Sequence, residues 1–97
     1  MATYILLVNW TDQGIRNVKN TLDRAKSFRE SAAGMGVTVS AFKWTLGPHD
    51  LVVTVEAPDD ETATRLGLAL GQVGNVRTTT MRAFGEDEMT RIVSGLS

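Results

Sequence analysis

The best candidates for acid–base chemistry in this chain are two adjacent residues, His49 and Asp50. His49 is the single histidine, and its imidazole is the natural group for proton transfer near neutral pH. Adjacent residues of an extended segment point to opposite faces, so the two side chains would not form a His–Asp couple. We favour a turn role for Asp50, whose carboxylate can accept backbone N–H groups. His49 is kept as a weak catalytic candidate.

Aromatic side chains near predicted strand ends suggest a pocket for a flat, apolar ligand. Trp10 and Trp44 would form its walls, with Phe42 and His49 beside them. Arg77 and Arg82 are an odd number of residues apart on the last predicted strand, so their side chains lie on opposite faces. One of them can therefore face a pocket or a partner. The predicted ligand-binding set is Trp10, Phe42, Trp44, His49 and Arg82. For the two tryptophans themselves we slightly prefer the other interpretation, in which they anchor the core or a subunit interface.

Other patterns have simpler explanations than chemistry. The acidic run Asp59–Asp60–Glu61 follows Pro58 and is typical of a helix start rather than a cation site. Gly67 and Gly71 favour close packing of a helix over phosphate binding, since no glycine-rich loop with a lysine precedes a helix. One histidine without cysteines makes a poor transition-metal site. We predict no metal and no cofactor.

Hydrophobic periodicity predicts four strands and three helices. The expected elements are strand 3–10, helix 13–33, strand 37–46 with a bulge or a twist, strand 51–57, a helix capped by Asp59 and closed by Gly74, strand 76–84, and a terminal helix over 86–96. The first helix rests on an apolar stripe of Ile15, Val18, Leu22, Ala25, Phe28 and Ala32. Gly34 is its expected C′ residue, and Gly36 is a second position compatible with a turn.

This order is β-α-β-β-α-β with a short C-terminal helix, the ferredoxin-like α+β plan with an antiparallel four-stranded sheet. The two most apolar strands, the first and third, should lie centrally. Helices should cover one face of the sheet. The other face would present Val52, Thr54 and, in one register, Trp44, and such a partly apolar face favours burial against a second copy.

Composition indicates one globular domain, residues 1–97. Ten basic and eleven acidic residues give a net charge of −1, without a basic patch for nucleic acid. There is no cysteine, no apolar run of membrane-spanning length and no signal-peptide pattern. We therefore predict a cytoplasmic protein with no nucleic-acid or membrane partner.

Several blocks together resemble the GYD domain family: 11–15 (TDQGI), 44–52 (WTLGPHDLV), 56–61 (EAPDDE) and 74–80 (GNVRTTT). One departure is that His49 stands where the tyrosine of the Gly-Tyr-Asp signature is expected, so a role for a tyrosine hydroxyl does not transfer. The resemblance implies a small ferredoxin-like domain that self-associates as a dimeric α+β barrel. It implies no reaction.

Three functions remain open at this point. The first, which we favour, is a homo-oligomer that binds a small apolar or aromatic ligand between sheet and helices. The second is a cofactor-free isomerase or monooxygenase that uses His49 for proton transfer, by analogy of fold alone. The third is a purely structural assembly module.

Overall fold

The computed structural model describes all 97 residues, Met1–Ser97. Along the chain the elements are β1 (Ala2–Trp10), α1 (Asp12–Arg16), a 3₁₀ turn (Val18–Asn20), α2 (Thr21–Gly34), β2 (Thr38–Trp44), β3 (Leu51–Ala57), α3 (Asp60–Val73), β4 (Val76–Ala83) and α4 (Glu86–Ser94). The strands form one sheet in the order β2-β3-β1-β4, and all neighbours are antiparallel. The predicted α+β class, four-stranded antiparallel sheet and central first and third strands are confirmed.

Strict alternation of side chains gives the sheet one closed and one open face. On β3, Leu51, Val53, Val55 and Ala57 are buried under the helices, and the residues between them are half-buried. On β1 the buried positions are Tyr4, Leu6 and Val8. The open face combines Ile5 and Leu7 with their β3 neighbours Thr54 and Val52 and with Met81 of β4. This face is covered by no helix of its own chain.

A β-bulge sets which side chains of β2 face the helices. Val39 pairs with Val55 and Ala41 pairs with Thr54, so Ser40 is the extra residue between them. Beyond the bulge, the alternation of side chains between the two faces is shifted by one residue. Both Val39 and Phe42 therefore lie on the helix side. The predicted bulge is confirmed.

The expectation that Trp44 could occupy the open face is wrong. Trp44 pairs with Leu51, whose side chain is buried under the helices. Its indole Nε1 donates a hydrogen bond to Thr21 Oγ1 at 2.9 Å, at the start of α2. The bulge at Ser40 is the cause, because it fixes the register of the strand beyond it.

The predicted continuous helix 13–33 is divided in the structure. Asn17, with φ −107° and ψ 25°, ends α1, and its Nδ2 donates to the Gln13 carbonyl at 3.0 Å. Asparagine competes in this way with the helical backbone bonds. Ala25, Phe28 and Ala32 of the predicted stripe are buried on α2, but Leu22 is 70% exposed. Ile15 of α1 is likewise 48% exposed, so the predicted stripe does not continue across the break.

Helix α3 begins and ends as its sequence predicts. The Asp59 carboxylate accepts the Thr62 N–H at 2.8 Å, and Gly74 closes the helix with a φ of 92°. Two other glycine predictions are wrong. Gly36, not Gly34, takes the left-handed conformation after α2, with a φ of 77°. Gly71 has no neighbour within 4 Å of an added Cβ, so only Gly67 packs closely on β4.

The predicted terminal helix forms as α4 but leaves the body of the domain. Met89, Ile92 and Val93 are each 42–49% exposed, and none of its residues is buried. The molecule measures 52 × 30 × 18 Å, and its radius of gyration of 14.6 Å exceeds the roughly 12–13 Å expected of a compact chain of this length. No helix is both long enough and apolar enough to cross a membrane.

Candidate functional site

A cleft of about 220 Å³ lies between α2 and α3 above the closed face of the sheet. Its floor is Leu6, Val8, Leu51 and Val53, and its walls include Phe28 and Leu66. Fourteen of its nineteen lining residues are hydrophobic. Such a cleft, apolar with a few polar groups, is the usual form of a small-molecule site.

One charged side chain lines this cleft, that of Arg24. Its Nη2 donates a hydrogen bond to the Gly14 carbonyl oxygen at 3.2 Å. Its Nη1 is buried and has no hydrogen-bond partner in the protein. The neutral polar residues of the lining are Thr21, Ser27, Ser31 and Asn75.

The polar end of the cleft is held by a contact between α1 and the loop from α3 to β4. The Thr11 N–H donates to the Asn75 carbonyl oxygen at 3.1 Å, and Thr11 Oγ1 donates to the Gly74 carbonyl at 2.6 Å. The same Oγ1 caps α1 by accepting the Gly14 N–H at 3.1 Å. Gly14 is thereby fixed against Asn75, and Arg24 is tied to Gly14. The guanidinium is therefore positioned by three segments: α2, which carries Arg24, α1, which carries Gly14, and the loop from α3 to β4.

Two of the predicted ligand-binding residues, Trp10 and Phe42, line the cleft. The Trp10 N–H donates to Asp50 Oδ2 at 2.9 Å, so Asp50 supports the end of β1 as well as the turn. Phe42 packs against Phe28 with ring centroids 6.0 Å apart. Trp44 lies next to Phe42, with centroids 4.9 Å apart, but is not itself part of the lining.

His49 lies outside the cleft, in the turn between β2 and β3. Its Nδ1 is 2.9 Å from Asn9 Oδ1, and Asn9 Nδ2 donates to the Pro48 carbonyl at 2.8 Å. Because that second bond makes the Asn9 oxygen the acceptor, His49 Nδ1 donates and Nε2 is the free nitrogen. No carboxylate bonds the ring, so its proton-transfer role remains a prediction.

Arg82 lies toward the opposite end of β1, since it pairs with Tyr4 rather than with the residues near Trp10. Its Nη2 forms an ion pair with Glu88 Oε2 at 2.9 Å, and its guanidinium lies 4.4 Å from the Phe84 ring centroid. This ion pair and the Gly85 N–H lower the pKa of Glu88. Arg82 thus joins β4 to α4 and does not share a site with Trp10.

Tyr4 occupies the same end of the sheet as Arg82. Its hydroxyl donates a hydrogen bond to Asp60 Oδ1 at 2.5 Å. This bond, followed by burial, raises the pKa of the Tyr4 hydroxyl, because loss of the proton would place two anions side by side. The arrangement ties β1 to the first turn of α3.

Comparison with known proteins identifies the family. The model of the GYD domain matches residues 4–93. This chain belongs to the GYD domain family. A relative from Thermus thermophilus is 38% identical over 85 residues, covering 87% of this chain and 90% of the relative, and is named glutamine synthetase and cystathionine beta-lyase binding protein. No solved structure gives a significant match.

For this GYD domain, the structure brings Trp10 and Phe42 together at the cleft and separates His49 and Arg82 from it. Sequence reasoning missed Arg24. A signal was present, because Arg24 stands four residues before Phe28 and therefore on the same side of α2. No group of three or more His, Cys, Asp or Glu side chains is arranged to hold a metal ion.

Proposed function

We propose that this GYD domain is a self-associating, protein-binding module. The supporting observations are two uncovered apolar surfaces: the exposed Met89, Ile92 and Val93 of the amphipathic helix α4, and the open face of the sheet. A helix with one apolar stripe and no partner gains stability mainly by burying that stripe.

The occupant we assign to these surfaces is a second copy of the chain. Two copies related by a two-fold axis present the same surfaces to each other, so each α4 and each open face is covered reciprocally. The net charge of −1 opposes such association only weakly. The family resemblance implies a dimeric, barrel-like assembly, which is also a pairing of two copies of the chain.

Sedimentation velocity tests the assembly. We expect the unmodified chain to sediment as a dimer or a larger oligomer, and Ile92→Lys to shift it to monomer. Ser94→Lys is the matched control, since it adds the same charge to the same helix on the side away from the stripe. A monomeric unmodified chain, or equal behaviour of both variants, would contradict the proposed assembly.

The second part of the proposal concerns other proteins. The name of the Thermus thermophilus relative states that it binds glutamine synthetase and cystathionine beta-lyase. We infer that the present domain likewise binds metabolic enzymes, with these two as the first candidates. The test is biolayer interferometry of the immobilised domain against both purified enzymes from its own host. Saturable binding of either enzyme supports the inference, and no binding at the highest soluble concentration refutes it.

A second candidate function is binding of a small apolar or aromatic ligand in the α2–α3 cleft. The apolar cleft lined by Trp10 and Phe42 favours it. Native mass spectrometry of the domain purified from its host should show a retained small molecule. The enzymatic hypothesis rests on His49 alone, and His49→Ala would abolish turnover if it were correct.

A further inference from the structure

The α2–α3 cleft combines an apolar floor with one incompletely bonded cation. Of the nineteen residues that line it, Arg24 alone is charged, and no carboxylate is among them. The guanidinium is held by its Nη2 bond to Gly14, and its Nη1 has no partner from the protein and almost no accessible surface, so a ligand reaches Nη1 only when the side chain turns toward the cleft. Buried nitrogens of this kind are nearly always hydrogen-bonded in folded proteins.

A guanidinium in this position has a clear chemical complement. Arginine presents a planar array of donors that matches a carboxylate, and bonds between charged groups are stronger than those between neutral ones. A single positive charge without a neighbouring anion is balanced by a ligand with a single negative charge. Thr21 and Asn75 add neutral polar groups to the lining.

The size of the cleft limits the rest of the ligand. Its volume is about 220 Å³. This is below the roughly 300–1,000 Å³ of pockets for drug-sized ligands, so the ligand is a small molecule. The aromatic and aliphatic walls, Phe28, Phe42 and Leu66 among them, suit an alkyl chain or one aromatic ring.

We propose that the α2–α3 cleft binds a monocarboxylic acid with a short apolar body, its carboxylate on Arg24 and its body between Phe28 and Leu66. This proposal rests on the second candidate function above, ligand binding in the cleft, and adds the charge and class of the ligand. Fatty acids of about eight carbons and aryl-alkanoic acids of similar size belong to this class.

The experiment is a calorimetric titration of the purified domain with octanoate and with octanamide, its neutral isostere. Octanoate should bind about ten- to a hundred-fold more tightly than octanamide, because its carboxylate forms an ion pair with the guanidinium whereas the amide offers a neutral oxygen acceptor. Amide NMR spectra should show the octanoate-induced shifts at Arg24 and at the Trp10 indole N–H.

Arg24→Gln should remove the preference for the carboxylate and leave octanamide binding unchanged. Lys26→Gln is the control, since it removes the same charge from an exposed position on the same helix. The comparison of octanoate with octanamide on the unmodified domain tests the proposal even if Arg24→Gln fails to fold.

The possible results distinguish the carboxylate assignment from ligand binding in the cleft. Equal binding of octanoate and octanamide, with NMR shifts in the cleft, would overturn the carboxylate assignment while the cleft remains a ligand site. Binding of neither compound, nor of 3-phenylpropionate, would overturn this proposal. If native mass spectrometry also finds no retained ligand, the second candidate function fails too.

Discussion

Gly14 lies so close to Asn75 that a Cβ added to Gly14 would stand 1.9 Å from the Asn75 carbonyl oxygen. This contact joins α1 to the loop between α3 and β4, and it supports the end of the cleft at which Arg24 is held. A side chain on Gly14 would have to displace backbone, because the neighbouring atom is a carbonyl rather than the end of a flexible side chain.

Gly14→Ala should therefore destabilise the domain by roughly 1–3 kcal/mol, the usual cost of an overpacked site. The free energy of unfolding from urea denaturation measures it. Gly71→Ala is the matched control, since an added Cβ there meets nothing within 4 Å. In the interior of α3 this second change should stabilise the fold by about 0.5–1 kcal/mol. Equal effects of the two substitutions would show that the Gly14–Asn75 contact is not tight.

Asp59 should make the stability of α3 depend on acidity. Hydrogen bonds from the backbone N–H and the hydroxyl of Thr62 lower its pKa below the ordinary value of 3.8. The folded state therefore binds this proton less tightly than the unfolded state, and the stabilisation is complete above pH 3.8 and is lost as the pH falls through the folded-state pKa.

Asp59→Asn keeps a capping oxygen but does not titrate in this range. The thermal midpoint of the unmodified domain should fall more steeply than that of the variant on acidification from about pH 5 to about pH 2. Parallel curves for the two proteins would exclude Asp59 as a contributor to the pH dependence.

The attachment of α4 depends on Glu88. Its carboxylate bonds both Arg82 and the Gly85 N–H, at 2.9 and 3.1 Å, so one side chain joins the helix to β4 and caps it. Glu88→Gln removes the charge and keeps the shape. We expect faster amide hydrogen exchange across α4 and unchanged exchange in α3.

Glu86→Gln is the control for that experiment, because it removes the same charge from the same first turn without touching Arg82. The pKa of Glu88 is lowered, so acidification should reproduce the effect of Glu88→Gln in the unmodified domain only at a pH below the ordinary glutamate value of 4.5. Equal exchange in the two variants would assign the effect to the helix dipole instead.

The local parts of this fold are predictable from the sequence because short-range physics decides them. Alternating burial on β3 follows from the strand period, and Asp59 and Gly74 are ordinary start and stop signals of a helix. The break at Asn17 was not predicted, because the apolar spacing from Ile15 to Ala32 fits one helix as well as two. The side-chain bond of Asn17 to the Gln13 carbonyl, which ends α1, is not visible in that spacing.

The candidate site was only partly predictable for the same reason. Trp10 and Phe42 line the cleft, as large aromatic residues near strand ends often do, and their role in binding stays a prediction, whereas Arg24 resembled any exposed basic residue of a helix. Its bond to the Gly14 carbonyl depends on the turn between α1 and α2, which sequence periodicity does not describe. His49 and Arg82 were grouped with Trp10 although the sheet places them in other surroundings.

The bulge at Ser40 provides a final prediction. Deleting Ser40 removes the extra residue that places both Val39 and Phe42 on the helix side. After deletion, either Val39 or the pair Phe42 and Trp44 must turn to the open face. We expect the free energy of unfolding to fall by at least about 1 kcal/mol, since a large apolar side chain loses burial.

Ser40→Ala is the control, because it removes only the hydrogen bond from Ser40 Oγ to the Thr54 carbonyl and keeps the register. Urea denaturation compares the two variants, and in a Trp10→Phe background, where Trp44 is the one tryptophan, its emission reports which side chains have turned. A red-shifted emission with loss of the Trp44–Thr21 contact means that Phe42 and Trp44 moved; unchanged emission means that Val39 did. A deletion variant as stable as Ser40→Ala would show that the bulge does not fix the register of β2.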